Sequence, residues 1–294
     1  MKTMVMAAER TVVLVGAGRL AGFLAPALTA AGYKITEIVA RPQALSLRRA
    51  RVLAGRVRAR AVTAKTMALD ASILWLAVPD SDIRRAALEL AQRAEAPGKR
   101  PRLRFAFHSS GALGSAELGA LRIAGLAVAS VHPLMTFVGG PTPPLSGVPF
   151  AIEGDRAAVK VALTIVRELG GEGFVLAPSF KPAYHAWATM TSPLLLAYLV
   201  TLERAARQAG LARDQARRMA LPILRQTLDN YAQVGSAKSF SGPFVRGDVA
   251  TVEKHLVLLK RSPKVRAVYT ALARMALDGL PVKNRARLSR LLKD

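Results

Sequence analysis

The sequence predicts an α/β domain on a mostly parallel, doubly wound sheet, followed by an all-α C-terminal domain. Three observations carry that expectation. Over roughly the first 175 residues, short β-branched runs alternate with alanine-rich helical stretches, as in a parallel sheet covered by helices. Several runs, ASILWLAV among them, are almost continuously apolar, as strands buried on both faces are. From Lys181 onward the alternation stops and helices follow one another, broken by Gly, Pro and polar turns. The boundary is expected at Pro178-Ser179, dividing the chain into domains of residues 1–178 and 179–294.

The strands are expected at TVVLVG (11–16), KITEIVA (34–40), ASILWLAV (71–78), LRFAFHS (103–109), LAVASV (126–131), VPFAIE (148–153) and EGFVLA (172–177). GGPTPPLSG (139–147) reads as an excursion within the first domain, because two strands follow it. The helices are expected at 181–209, 214–234, 248–260, 264–278 and 283–292. Within the first of these, Pro193 removes an N–H and clashes with the carbonyl of Thr189, so a kink or break is expected there.

Composition narrows the function classes. The N-terminal MKTMVMAAER has no long apolar run, and its Glu9-Arg10 pair comes too early for a signal peptide. The longest later apolar stretch, 193–201, falls well short of the ~20 residues that span a bilayer. The chain has no cysteine, which excludes disulfides and thiolate chemistry and fits a reducing, cytoplasmic setting. The formal charge of +24 suggests a polyanion partner, but the basic runs at 45–60 and 283–293 contain no aromatic residues to stack bases. They read as solvated basic faces that also favour an anionic substrate or cofactor, not as a nucleic-acid surface.

The first strand runs directly into GAGRLA, giving Gly16-x-Gly18-x-x-Ala21 before a helix. Strand, glycine turn and helix together form the dinucleotide fingerprint of a Rossmann domain. Gly16 permits the tight turn, Gly18 lets the backbone approach a pyrophosphate, and Ala21 lets the helix pack closely on the strand. Ala17, Arg19 and Leu20 complete the loop, whose N–H groups and helix dipole face the phosphates. The tip of the second strand reads Ala40-Arg41-Pro42, and Glu37 lies four residues back from Arg41, inside the strand. A ribose 2′-hydroxyl would want an acid at that tip; Arg41, aided by Arg48 or Arg49, suits a 2′-phosphate. NADP is therefore preferred to NAD. Val78 and Pro79, at the end of ASILWLAV, are expected beside the cofactor, with Asp80 capping the next helix.

There are four histidines. His108, in FHSSGAL, and His132, in VHPLMTF, end two strand candidates, at the sheet edge where a dinucleotide presents its reactive ring. Ser109, Ser110 and Gly111 follow His108, two hydroxyls and a residue that allows close approach. His185, Thr189 and Ser192 share one face of the next helix at i, i+4 and i+7. His255, set among Val252, Leu256 and Leu259, reads as a partly buried structural residue. No HxxH or HExxH spacing occurs, so no metal is expected. In SGPFVRGD (241–248) the glycines and proline make a turn, and Asp248 caps the following helix. Arg246 either clamps an anionic substrate or pairs with Asp248.

The blocks GAGRLA, WLAVPD, FHSSGAL, SVHPLMTF, KPAYHAW and SGPFVRGDVATVEKHL, in that order, resemble the Rossmann-like proteins that carry domain of unknown function 2520. Those proteins are similar to pyrroline-5-carboxylate reductase and to deazaflavin-dependent NADP oxidoreductases. The resemblance implies an NAD(P)-binding domain, a helical domain like that of 6-phosphogluconate dehydrogenases, and a homodimer formed through it. The family pattern has an asparagine near the position of Pro193, so here Thr189 or Ser192 would have to stand in.

The expected function is an NADP-dependent oxidoreductase for a small anionic oxo- or imino-acid. His108, Ser109, His132 and His185 are the candidate catalytic groups, and Ser110, Thr189, Ser192 and Arg246 the candidate substrate-binding ones. The alternative is a non-catalytic dinucleotide-binding sensor on the same fold.

Overall fold

The computed structural model describes residues 10–94, 102–138 and 144–293. The N-terminal MKTMVMAAE and the start of the GGPTPPLSG excursion lie outside them. The chain divides into two compact units, 1–189 and 190–294.

The first unit is an eight-stranded sheet in the order β3-β2-β1-β4-β5-β6-β7-β8. Its strands are β1 (Thr11–Val15), β2 (Lys34–Ala40), β3 (Arg60–Thr63), β4 (Ile73–Leu76), β5 (Phe105–His108), β6 (Ala127–Pro133), β7 (Pro149–Gly154) and β8 (Glu172–Val175). β1 to β6 pair in parallel, β7 runs antiparallel to β6, and β8 is parallel to β7. The first six therefore have the doubly wound arrangement, whose switch point lies between β1 and β4.

Successive side chains of the central strands point to opposite faces, so each strand feeds two cores. Val12, Leu14, Ile73, Trp75 and Phe107 join one cluster. Val13, Val15, Leu74, Leu76 and Ala106 join the other. The helices covering them are α1 (Arg19–Ala30), α2 (Ala44–Val57), α3 (Asp80–Ala94), the short α4 (Gly119–Ile123) and α5 (Arg156–Glu168). β3 was not expected. Its four residues lie at the end of the arginine-rich run, where charge hides the strand signal. Arg48, Arg49, Arg51 and Arg56 on α2 are exposed.

The long helix expected from Lys181 is two: α6 (Lys181–Thr191) and α7 (Pro193–Arg207), with Pro193 restarting the helix. In the second unit follow α8 (Arg213–Ser239), interrupted at Gly235 (φ 76°), the one-turn α9 (Pro243–Arg246), α10 (Val249–Leu259), α11 (Pro263–Gly279) and α12 (Arg285–Leu291). Val252, Leu256, Ala273, Leu277, Leu288 and Leu292 form its core. No described helix is long and apolar enough to cross a membrane.

Candidate functional site

The carboxyl ends of β1, β2 and β4 enclose a cleft of about 330 Å³. Gly16 makes its floor with φ 108°, its N–H donating to Val39 O at 2.8 Å. A side chain there would meet the Ala77 carbonyl oxygen at 2.4 Å, so the turn requires glycine. At Gly18, which precedes α1, an added Cβ would meet nothing within 4 Å. The backbone is thus bare on the side from which a phosphate would approach, and no side chain caps the amides of α1. Ala21 is fully buried against the sheet. These features fit a dinucleotide.

Arg41 and Arg49 both line this cleft, together with Ser46, Val78 and Pro79; Arg48 and Arg49 line the neighbouring one. Glu37 is 2% exposed, and its carboxylate accepts the backbone N–H groups of Ala68 (3.0 Å) and Leu69 (3.2 Å). It ties down the loop after β3 and is not available to a ribose. Asp80 departs from the expected cap. It is the first residue of α3, and its Oδ2 accepts the Ser110 hydroxyl at 2.8 Å.

β5 and β6 carry the histidines to the same edge of the sheet. In the β5–β6 register His108 lies opposite Ser130, and His132 is two residues further along β6. His108 is 0% exposed, and both ring nitrogens are engaged: Nδ1 accepts the Ser110 N–H at 3.1 Å, and Nε2 donates to Gly114 O at 3.0 Å. This pairing holds the ring neutral and shapes the loop after β5. Ser109 Oγ accepts the Trp75 indole N–H at 2.9 Å.

His132 Nδ1 lies 2.8 Å from the Tyr184 hydroxyl. Burial pushes that phenol up to about 12, so its proton stays in place. We assign the hydroxyl as the donor, which leaves the hydrogen of His132 on Nε2. His185 stands edge-on to His132, ring centroids 6.4 Å apart. Both rings close over Gly111, where an added Cβ would lie 2.7 Å from His185 Cδ2 and 2.8 Å from His132 Nε2.

Lys181, 2% exposed, supports this arrangement from below. Its ammonium donates to Ser110 O at 2.8 Å and to Ser130 Oγ at 2.6 Å. Burial lowers it to about 8, against the opposing pull of Glu153 and Asp80, so it is still mostly charged at neutral pH. Glu153, also buried, accepts the Ser115 N–H at 2.6 Å and the Ser115 hydroxyl at 2.9 Å. The segment 108–115 is thus fastened along its length by buried polar bonds.

Burial, first among the causes, holds both His108 and His132 down at about 4, below their ordinary 6.5. Between those values the unfolded chain binds protons that the folded chain does not. Their contribution to stability is therefore complete above about pH 6.5 and is lost as pH falls toward 4. Tm is expected to drop across this window, and His132→Asn to make the drop shallower, as measured by scanning calorimetry at several pH values.

Of the residues singled out from sequence, the first unit brings together His108, Ser109, Ser110, His132 and His185. Thr189 lies one turn after His185 on α6. Ser192 and Arg246 belong to the second unit. There Asp248 caps α10, accepting Thr251 N–H at 3.0 Å, and among the described residues it makes no ion pair with Arg246. His255 is structural, its Nδ1 3.1 Å from the Tyr269 hydroxyl. Sequence reasoning passed over Lys181, Ser130, Tyr184 and Glu153. A lysine at a helix start and a glutamate ending a strand look solvated in a sequence, and only the fold buries them.

The fold and its glycine turn define the class, a doubly wound Rossmann-like domain with a helical companion. The chain matches the Rossmann-like domain model over residues 2–133 and domain of unknown function 2520 (DUF2520) over 148–276, and so carries both in sequence. A candidate NADP oxidoreductase from Bacteroides fragilis has the same fold at TM-score 0.72 and 21% identity, over 92% of this chain and 98% of that one. An imine reductase from Myxococcus stipitatus in complex with NADP+ matches at 0.64 and 17%, over 96% and 99%. A pyrroline-5-carboxylate reductase from Coxiella burnetii matches at 0.57 and 14%, over 97% and 98%. No curated protein matches the chain.

Proposed function

We propose that this protein is an NADP-dependent reductase of a small anionic imino- or oxo-acid. The observation that carries the reading is the pair His132 and His185, closed over Gly111 on the sheet edge that also carries the glycine cleft. The names of the structural neighbours, imine and pyrroline-5-carboxylate reductases, support it. The loop 16–21, Val78, Pro79, Arg41, Arg49 and Ser46 would hold the dinucleotide, which supplies hydride when bound.

The chain's own groups bind, polarise and protonate. His132, neutral above about pH 4, presents Nε2–H as a hydrogen-bond donor to the C=N or C=O group. Reduction leaves a proton on that nitrogen or oxygen, and we assign its delivery to His185. Ser109 and Thr189 are the hydroxyls we assign to substrate. His108, Ser110 and Lys181 act as positioning residues, because their polar atoms are already taken up within the protein.

The test is NADPH consumption across a panel of cyclic imines, imino acids and oxo acids. Turnover that falls at least tenfold in His185→Ala supports the reading. Tight NADPH binding with no turnover on any of them would replace it with a dinucleotide sensor.

Arg41→Ala/Arg49→Ala is expected to weaken NADPH binding by about 10- to 100-fold, the range for charge-assisted bonds to a phosphate, and to leave NADH affinity unchanged. Fluorescence titration of both cofactors checks this. We also propose a homodimer through the helical unit. Leu194, Leu196, Met219, Ile223, Leu228 and Tyr231 are exposed apolar side chains on α7 and α8, more than a monomeric helix pair ordinarily leaves in water. Light scattering should give twice the chain mass, and Ile223→Asp/Leu228→Asp should halve it.

A further inference from the structure

The helical unit contains a second polar site. Arg204, Arg207 and Gln208, at the end of α7, line a cavity of about 640 Å³ together with Ser262, Pro263, Lys264 and Val265 at the start of α11. Among the described residues, no acidic side chain lines it. Beside it, sharing Pro263, is a cavity of about 400 Å³ lined by Lys260, Arg266, Arg274 and Lys293, again with no acid among the described residues that line it. The side-chain amide of Gln208 has both its nitrogen and its oxygen buried with no hydrogen-bond partner, and Arg266 Nε is in the same condition. Ser262, the residue before α11, makes no side-chain cap bond.

A buried amide without partners is costly, and natural structures seldom keep one without a use. Among the described residues no hydrogen bond holds the Gln208 amide, and the cavity that Gln208 lines is ringed with positive charge. We propose that this cavity binds a phosphate group, free or as a monoester, held by Arg204, Arg207 and Lys264 and read by the Gln208 amide.

The chemistry separates phosphate from other anions. Paired guanidinium forks suit its several oxygens, and the start of α11 adds the positive end of a helix dipole. Gln208 needs an acceptor for Nε2 and a donor for Oε1. A carboxylate or sulfate offers acceptors only. A phosphate monoester loses its last proton at a pH of about 6, so part of its population at neutrality carries both P=O and P–OH, and free phosphate keeps a P–OH throughout the neutral range. The volume exceeds that of the bare ion, leaving room for the organic part of an ester.

The test is calorimetric titration of the full chain at constant ionic strength with inorganic phosphate, glycerol phosphate and sulfate in separate arms. An Arg41→Ala/Arg49→Ala background keeps the arginines of the dinucleotide cleft from competing. Either phosphate arm is expected to bind at least about tenfold more tightly than sulfate. A tighter ester marks an organic phosphate, and equal affinities mark the free ion. Arg204→Ala/Arg207→Ala should lower phosphate affinity more than tenfold. Gln208→Leu should raise Tm in phosphate-free buffer and bring phosphate down to the affinity of sulfate. Phosphate binding no tighter than sulfate, or undiminished in the double-arginine variant, would overturn the proposal.

Discussion

Gly111→Ala is expected to lower kcat/KM for NADPH-dependent reduction by about a hundredfold, the scale set by displacing reacting groups by an ångström. Tm should fall by only a few degrees, the cost of the hydrogen bond between His132 and Tyr184. The methyl group would lie 2.7 Å from His185 Cδ2 and 2.8 Å from His132 Nε2, closer than real contacts allow. Both obstacles are ring ends of side chains, which turn aside at little cost in stability. Gly111 also lies outside the left-handed region, so alanine meets no backbone strain. His132 would move off the Tyr184 hydroxyl that sets its tautomer, and His185 off the position facing it. Steady-state kinetics with scanning calorimetry on one preparation makes the comparison. Activity surviving in a folded Gly111→Ala protein would remove the histidine pair from the chemistry.

Gly16→Ala should do the reverse and fail in the backbone. Its methyl group would lie 2.4 Å from the Ala77 carbonyl oxygen and 3.0 Å from the carbonyl carbon, at φ 108°. Neither obstacle is a side chain that can rotate. Gly16 is also pinned by its bond to Val39 O, and Ala77 by its bond to Val15 O. The cost is expected at about 2–3 kcal/mol, a Tm loss of roughly 5–10 °C in a protein of this size, with NADPH binding lost as well. Gly18→Ala separates the two effects. Its methyl group meets nothing within 4 Å, so Tm should hold while NADPH affinity falls. Equal destabilisation by both substitutions would mean that the turn is not a cofactor cradle.

The fold was legible because burial on both faces leaves a strong imprint. β1, β4 and β5 are apolar almost throughout, and Pro193 marked the break between α6 and α7 as its missing N–H requires. β3 was not legible, since four residues at the end of a basic run carry too little pattern. The candidate site was half legible. Strand ends and the glycine turn announce themselves, and so His108, His132 and Gly16 stood out. What sequence could not show is which polar groups are taken up internally. His108 looks like a catalyst until both nitrogens are found bonded, and Lys181 looks like a surface lysine until its ammonium is found beneath the sheet edge. Pairings across 52 and 71 residues, as between His132 and Tyr184 or Lys181 and Ser110, leave no local trace.

The fastening of Glu37 also sets the route by which cofactor preference could change. An acid already present in the second strand looks like a ready starting point for conversion to NAD. It is locked to the amides of residues 68 and 69, and pulling it out would release the loop it holds. A designer, or a lineage under selection, would have to install a new carboxylate at Ala40 or Arg41 and leave Glu37 untouched. On the proposed reading, such a swap at position 41 would weaken the attraction for a 2′-phosphate, with Arg49 still lining the cleft, and would supply a ribose acceptor without passing through the core.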